Sequence, residues 1–287
     1  MATSRIESLI RKHGLDFKIS ESFVKQLQQA GASPGLIEEL EQRAARTTMH
    51  LPAPDTHATQ SLLVSSQVAA MLQQARQMTD QRDWAGAEGI YRRILRLDPS
   101  DVEAHFDLGH ALKEEKKFDQ AIAEYRETIR LAPDLPPPHF NLGNVLVAKK
   151  DFAGAAAEYA KALQLRPQDD QAHYALGYAD YKMGRLTQAI AEFRTAIALQ
   201  DSDSDAHTAL GIAYVQSGLY QNAVLEFHRA LQLNSQDSLA HAGLGDALLK
   251  EGDRKGALKE YRFAASLEPE NLTYRSQYHA LLQALNP

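Results

Sequence analysis

Two adjoining stretches decide the fold of this chain: residues 102–135 read VEAHFDLGHALKEEKKFDQAIAEYRETIRLAPDL, and residues 136–169 read PPPHFNLGNVLVAKKDFAGAAAEYAKALQLRPQD. Aligned without a gap, both carry His at position 4, Leu-Gly at positions 7 and 8, Ala at position 20 and Glu-Tyr at positions 23 and 24. Self-similarity at a fixed period is sought before secondary structure, because it changes every later interpretation. The two stretches therefore indicate a repeat of 34 residues.

The same period continues in both directions without an insertion. It defines six windows: 68–101, 102–135, 136–169, 170–203, 204–237 and 238–271. Alanine stands at position 20 of every window, as Ala87, Ala121, Ala155, Ala189, Ala223 and Ala257. An aromatic residue stands at position 24 of every window, as Tyr91, Tyr125, Tyr159, Phe193, Phe227 and Tyr261. Position 30 is always leucine. Six copies in register make the repeat a specific signal.

Each window is predicted to be a pair of helices. Leu108 and Leu112 in the first half of one window, and Ala121 and Tyr125 in the second, follow helical spacing. The joining turn falls at position 15, where glycine can adopt the left-handed conformation that ends a helix. The last three windows have that glycine, as Gly184, Gly218 and Gly252. Small residues at positions 8 and 20 fit a close helix crossing, and we expect the ring at position 24 and the leucine at position 30 to fill the remaining space.

This pattern resembles the tetratricopeptide repeat, or TPR. The resemblance implies an all-α fold, a right-handed TPR-type α-solenoid built from helix pairs. One pair cannot bury its own apolar face, so consecutive pairs stack. Residues 272–287 continue the spacing of a first helix and are predicted to form a C-terminal cap helix. Gln74 and Ala75 replace the usual Leu-Gly of the first window, so that terminal repeat is atypical.

Residues 1–46 do not follow the period and are predicted to form a small helical module. We expect helices from about Ser4 to His13, after Ser20, and after the Ser33-Pro34 pair, since a cap residue and a first-turn proline favour helix starts. The module loosely resembles small helical modules of bacterial proteins. Residues 47–66 are rich in Thr, Ser and Pro, and predict a flexible linker.

Composition excludes several classes of function. The 287 residues carry 31 Lys and Arg against 37 Asp and Glu, a formal net charge of −6. Binders of nucleic acids or of anionic membranes rely on clustered positive charge, so both partners are disfavoured. The absence of Cys excludes disulfides, thiolate metal sites and cysteine nucleophiles. No apolar run approaches the ~20 residues that span a bilayer. We expect a cytoplasmic protein without membrane insertion.

No catalytic motif is present. The sequence has no HExxH, no Walker-type glycine loop and no GxSxG. Histidine recurs at position 4, but one imidazole per helix pair does not supply the converging ligands of a zinc site, and a role in packing is favoured. Glutamate at position 23 is expected to form a solvated edge. Asp107 and His110 are expected to be surface residues rather than a catalytic acid–base pair. We therefore expect no enzymatic activity, no cofactor and no metal.

The concave face of the solenoid is the candidate binding site. In the family's geometry, positions 2, 5, 6, 9, 12 and 13 of the first helices line this groove. The predicted groove residues are Phe106, His110, Phe140, Asn141, Asn144, Tyr174, Tyr178, Tyr181, Ile212 and Val215. Exposed apolar patches usually mark interaction sites. The basic residues of a clamp for a chain-terminal carboxylate are absent from position 2. We expect a non-catalytic scaffold that binds a peptide or helix of another protein.

Two alternatives remain open at this point. The irregular first window and residues 1–66 could pair copies of this chain, making self-association its role. The windows around AHFDLGHALKEEKKFDQA also look like the repeat arms of protein O-glycosyltransferases, which precede a nucleotide-sugar catalytic domain. Only 16 residues follow the sixth window, so an accessory arm without that domain is the third hypothesis.

Overall fold

A computed structural model of the chain describes residues 21–29, 32–47 and 56–285. Throughout these residues the regular structure is helical. Contacts divide the chain into two compact units, residues 1–69 and residues 70–287, and each unit is described by itself. The helix expected from Ser4 to His13 lies outside the described residues. No described helix combines the length and apolarity that a membrane crossing requires.

The first unit contains helices α1 (Glu21–Gln29) and α2 (Pro34–Thr47). Ser33 begins the second of them, since its Oγ accepts a hydrogen bond from the Leu36 N–H at 3.3 Å. Leu27, Ile37 and Leu40 are buried. Val68, near the end of this unit, is also buried, so four aliphatic side chains form its buried part within the described residues.

The flexible linker predicted for residues 47–66 is wrong over most of its length. Helix α2 continues to Thr47, residues 48–55 lie outside the described residues, and α3 (Thr56–Asp80) begins well before the first window. The reason is visible in the sequence. Pro52 and Pro54 precede α3, but no Pro or Gly interrupts residues 56–80. Ser and Thr cost an exposed helix only a few tenths of a kcal/mol each, so a Ser- and Thr-rich composition does not prevent the helix.

The second unit is a series of helix pairs, as the period predicts. In chain order its further helices are α4 (Trp84–Leu97), α5 (Val102–Glu114), α6 (Phe118–Leu131), α7 (Pro136–Ala148), α8 (Phe152–Leu165), α9 (Asp170–Lys182), α10 (Leu186–Leu199), α11 (Ser204–Gln216), α12 (Tyr220–Leu233), α13 (Ser238–Glu251), α14 (Arg254–Leu267) and α15 (Leu272–Leu285). In the second to sixth windows the first and second helices contact each other, and every second helix contacts the helix that follows it. This is the architecture of a TPR-type α-solenoid.

The turn at position 15 is left-handed in all six windows. Gly184, Gly218 and Gly252 have φ of +75°, +75° and +93°, as the sequence predicts. In the first three windows Arg82, Lys116 and Lys150 occupy the same position, with φ of +60°, +61° and +63°. L-residues pay a steric cost in this region. The helix-pair geometry therefore imposes the turn whether or not glycine is present.

Glycine at position 8 and the ring at position 24 fit each other. A Cβ on Gly143 would lie 2.5 Å from the Tyr159 ring, and one on Gly211 would lie 2.7 Å from the Phe227 ring. Both rings are fully buried, and the alanine at position 20 is inaccessible in every window. The close crossing expected from the small residues is confirmed.

Leucine at position 30 does not fill the core. Leu97 is 43% exposed and Leu233 is 36% exposed, and both lie in the last turn of a second helix. The buried residue at this level is position 27, represented by Ile94 and Ala230. A helix of 3.6 residues per turn places position 30 about 60° to one side of position 27, away from the stripe of positions 20, 24 and 27. The prediction for this leucine is wrong for that reason.

Candidate binding groove

The ten side chains predicted for the groove lie on four first helices, α5, α7, α9 and α11, and all ten are half-buried. A half-buried position lets one edge of a ring pack inward while the other edge remains accessible. Phe106, Phe140 and Tyr174, all at position 5, lie against the position-24 ring of their own window, with ring centroids 5.6–5.9 Å apart. The rings are thereby fixed in orientation by the core beneath them.

A cavity of about 340 Å³ joins three successive windows. Tyr174, Tyr178 and Tyr181 line it from α9, Ile212 lines it from α11, and Leu239 lines it from α13. Further lining residues are Phe193, Asp205, Thr208, Ala209 and Asp237. The structure thus brings four of the predicted groove residues into one site.

A second cavity, of about 310 Å³, lies beside the first and shares Tyr174 and Tyr178 with it. Phe140 and Asn144 line it from α7, and Asp203 lines it from the turn before α11. The shared tyrosines make the two cavities neighbours along the groove. Six of the ten predicted residues therefore line a connected surface on α7, α9 and α11.

The other four predicted residues line neither cavity. His110 lies edge-on to Trp84, with ring centroids 5.7 Å apart. The Asn141 side chain donates from Nδ2 to the Pro137 carbonyl of its own helix at 3.0 Å. Val215 packs on the core around Phe193 and Phe227. Phe106 is one window too far toward the N-terminus to reach the second cavity.

Tyr181 lines the first cavity, although a polar residue takes the usual apolar position before it. Asp180 at position 11 is 6% exposed, and its carboxylate is 3.5 Å from the Arg185 guanidinium. Burial raises the pKa of Asp180 above its ordinary value, against the opposing effect of Arg185. The Tyr181 hydroxyl accepts a hydrogen bond from Gln216 Nε2 at 2.6 Å. This bond joins the C-terminal ends of α9 and α11.

Positions 24 and 9 decide how polar each part of the groove is. Where position 24 is tyrosine, its hydroxyl reaches the groove side of the first helix. Tyr159 donates to Asn144 at 2.7 Å, and Tyr261 donates to Asp246 at 2.6 Å. Where position 24 is phenylalanine, in the fourth and fifth windows, position 9 is Tyr178 or Ile212. The apolar centre of the groove therefore lies over Phe193 and Phe227. The sequence contains this signal in the pairing of positions 24 and 9, and it is not visible at either position alone.

Tyr125 departs from that pairing. Its hydroxyl is buried and has no hydrogen-bond partner among the described residues. Position 9 of its window is His110, whose ring packs on Trp84 instead. Burial raises the pKa of Tyr125, so the hydroxyl remains protonated at neutral pH. It contributes no polar contact to the groove.

The five repeated histidines and the repeated glutamates form pairs rather than separate edges. Nδ1 of His105, His139, His173, His207 or His241 lies 2.6–2.7 Å from Oε2 of the glutamate 19 residues later in the chain. In four windows Nε2 also faces the backbone carbonyl of the preceding window, as His207 faces Asp201 at 3.2 Å. The solvated edge expected at position 23 is therefore wrong. These glutamates bind the histidines, and in four windows the histidine thereby connects the first helix, the second helix and the turn that precedes the window.

Acidic groups accompany the first cavity. Asp203, Asp205 and Asp237 line one or other of the two cavities, whereas no Lys or Arg lines either of them. The pKa of Tyr174 is raised to about 12, chiefly by burial and further by the negative charges of Asp205 and Asp203. In the described part of the chain, no three His, Asp or Glu side chains are grouped as a metal site requires.

Comparisons with known proteins agree with this architecture. The family model described as "TPR repeat" matches residues 143–184 and 177–218, and that described as "Tetratricopeptide repeat" matches residues 72–136. Among curated proteins no sequence matches.

Solved structures of TPR proteins resemble the chain at low sequence identity. PilF of Pseudomonas aeruginosa has a TM-score of 0.64 at 20% identity, over 77% of this chain and 98% of that one. YrrB, described as "a TPR protein with an unusual peptide-binding site", has a TM-score of 0.57 at 19% identity, over 65% and 96%. MamA of Desulfovibrio magneticus has a TM-score of 0.56 at 21% identity, over 60% and 97%. Likeness at this level concerns the fold.

Proposed function

We propose, on the premise that this chain is a tetratricopeptide repeat protein, that it is a non-catalytic scaffold whose groove binds a segment of another protein. The family is generally non-catalytic and serves protein–protein interaction. The observation that carries the proposal is the connected pair of cavities on α7, α9 and α11, lined by half-buried aromatic side chains from successive windows.

The binding surface is already ordered before a partner binds. Tyr174 is held against Phe193, and Tyr181 is held by Gln216, so neither side chain must be ordered when a partner binds. Immobilising a flexible side chain costs about 0.5–1.5 kcal/mol, and this cost is avoided here. Aromatic residues in partly buried pockets are also the residue type that most often dominates binding energy.

A peptide is the occupant that best suits these dimensions. Each cavity has a volume suited to one or two side chains, near the lower limit of small-ligand pockets. An extended or helical segment would place successive side chains in the two neighbouring cavities. The peptide-binding site in the description of YrrB, a protein of similar fold, gives further support.

Selection from an unbiased library of displayed twelve-residue peptides tests the proposal. We expect peptides that bind the full chain and whose affinity falls about tenfold or more when Tyr178 is replaced by Ala, because the ring lines both cavities. Leu225→Ala is the matched control, since Leu225 is 68% exposed on the second helix α12 and lines neither cavity. Calorimetry and thermal melting would accompany both variants.

Equal effects of the two substitutions would contradict the proposal, as would a selection that enriches nothing. A large loss of melting temperature for Tyr178→Ala alone would show that the ring acts in folding rather than binding. The self-association hypothesis predicts a mass that rises with concentration in light scattering. The accessory-arm hypothesis concerns attachment to a catalytic partner, and turnover of nucleotide sugars by the isolated chain would overturn the non-catalytic proposal. The cytoplasmic location stays a prediction.

A further inference from the structure

We propose that the cavity between α9, α11 and α13 selects a partner segment in which a bulky apolar side chain is next to Lys or Arg. The apolar side chain would occupy the tyrosine-lined cavity, and the cationic group would lie at its rim beside Asp205. This inference rests on the proposed function and specifies the chemistry of the segment that the groove accepts.

The floor of the cavity is apolar and aromatic. Tyr178, Ile212 and Leu239 come from three different windows and present carbon surface to the same space. Phe193 closes the cavity from below and has no polar atom in its side chain. Burial of apolar area is the favourable contribution available on such a surface. A charged or small side chain would leave this part of the cavity unused.

Of the carboxylates beside the cavity, one makes no hydrogen bond or ion pair with the described residues. Asp237 accepts hydrogen bonds from the Ala240 N–H at 3.0 Å and from the Thr208 hydroxyl at 2.7 Å. Asp203 accepts from the N–H groups of Asp205 and Ala206. The exposed Asp205 side chain has neither a hydrogen bond nor an ion pair within the described ranges 21–29, 32–47 and 56–285. Asp205 is therefore available to a partner.

The charge balance around the cavity favours a cation. Three carboxylates and no basic side chain line the two neighbouring cavities. The nearest cation on α9, Lys182, lies over the rings of Tyr178 and Phe152, at 5.8 and 5.9 Å from their centroids, and lines neither cavity. The same contact illustrates that a ring in this groove can hold a cation on its face. An acidic segment would instead meet repulsion at Asp203 and Asp205.

The same two carboxylates lie close enough to Tyr174, which lines both cavities, to act on its hydroxyl. The charges of Asp205 and Asp203 contribute to the raised pKa of the Tyr174 hydroxyl, after the larger effect of burial. Both carboxylates therefore act on the space beside that hydroxyl. A partner's ammonium or guanidinium group placed there would reduce their mutual repulsion, and an exposed ion pair would remain sensitive to salt.

Two amidated, acetylated eight-residue peptides provide the test. One contains two Phe-Arg-Leu triplets separated by Gly-Ser, and the other replaces each Arg by citrulline, which has a similar shape without the charge. By fluorescence anisotropy with the full chain, we expect the arginine peptide to bind about fivefold more tightly in 50 mM salt. This ratio is expected to approach one in Asp205→Asn and to persist in Asp170→Asn. Asp170 is the matched control because it also lies in the first turn of a first helix and lines neither cavity.

The outcomes separate this inference from the proposed function. Equal affinity of the two peptides, or a ratio unchanged by Asp205→Asn, would overturn the preference for a cation while leaving the groove in place. No binding of the arginine peptide up to 1 mM would also overturn it. The groove itself would be contradicted if Tyr178→Ala changed the affinity of neither these peptides nor those selected from the library.

Discussion

At the scale of single residues, the polar atoms that the repeat buries govern both stability and groove chemistry. The tyrosine hydroxyl at position 24 is satisfied when position 9 supplies an oxygen, as Asn144 does for Tyr159. Where position 9 supplies no oxygen, position 24 is phenylalanine, as at Phe227, or its hydroxyl has no partner among the described residues, as at Tyr125. The first window is the exception, because the Tyr91 hydroxyl donates to Asp107 of the next window at 3.3 Å. The contribution of position 24 to stability therefore differs between windows, although its ring occupies the same place in each repeat.

Removing the hydroxyl from Tyr159 and from Tyr125 is expected to give opposite results. Tyr159→Phe loses the bond to Asn144 and should lower the free energy of unfolding by about 1 kcal/mol. Tyr125→Phe removes a buried hydroxyl that has no partner among the described residues, so it should leave that free energy unchanged or raise it by up to ~1 kcal/mol. Urea unfolding of the two variants measures both values. Equal losses would show that Tyr125 has a partner, such as a buried water.

Asp180 should destabilise the folded chain less in mild acid than at neutral pH. Burial raises its pKa in the folded state above the unfolded value, so the folded state binds the proton more tightly. Its unfavourable contribution is therefore full above the folded pKa and declines as pH falls through that pKa toward the unfolded value.

The variant Asp180→Leu tests this, because leucine occupies the same position in three other windows, as Leu112, Leu146 and Leu248. We expect a gain in the free energy of unfolding of about 1–2 kcal/mol at pH 7, since a buried carboxylate is replaced by an apolar side chain. The gain should shrink between pH 7 and pH 4. Thermal melts of the variant and the original chain at both pH values give the difference, and a gain that grows in acid would contradict the sign.

At the scale of helices, each pair from the second window on is fixed by its turn and by the His–Glu contact that bridges it. The turn is left-handed at position 15 in all windows, and the sequence uses glycine in only three of them. The His173–Glu192 contact at 2.6 Å joins the first turn of α9 to the middle of α10. Turn and contact together hold the pair at two separated points.

Introducing glycine at one turn and removing it from another should change stability in opposite directions. Lys150→Gly relieves a left-handed L-residue and is expected to raise the free energy of unfolding by up to ~1 kcal/mol, partly offset by the greater freedom of glycine in the unfolded chain. Gly184→Ala should lower it by about 1 kcal/mol. A Cβ at Gly184 would meet no atom within 4 Å, so the loss would report backbone strain alone. Chemical denaturation of both variants provides the measurement; the same sign for both would refute the argument.

At the scale of the second unit, helices contact mainly their neighbours in chain order, and first helices also contact the next first helix. Stability in such an array is a sum of repeat and interface contributions. The groove is a consequence of that stacking, because each cavity needs residues from at least two windows. A lesion in one window should therefore remain local.

Gly143→Val tests the locality of such a lesion. A Cβ there would lie 2.5 Å from the Tyr159 ring, and overpacking typically costs about 1–3 kcal/mol. We expect faster hydrogen exchange in windows two to four, with little change in window six. Gly89→Ala is the matched control, since its Cβ would meet nothing within 4 Å and alanine favours a helix. Uniform acceleration along the unit would show global cooperativity instead.

The sequence alone determined the helix pairs, their turns and the fit of ring to glycine, because a strict period repeats one local environment and each copy confirms the others. It also indicated which face of the first helices is apolar. It did not determine the helical nature of residues 56–66, because their Ser- and Thr-rich composition is typical of a linker although no helix-breaking residue is present.

Only the tertiary structure decided which side chains meet. His105 and Glu124 are 19 residues apart, and their contact depends on the angle between two helices and on rotamers that periodicity does not specify. For the same reason the sequence predicts Phe106 and Tyr178 in one groove, whereas in the structure Tyr178 lines both cavities and Phe106 lines neither. The period shows which positions are equivalent, whereas the stacking of the windows determines which side chains are in contact.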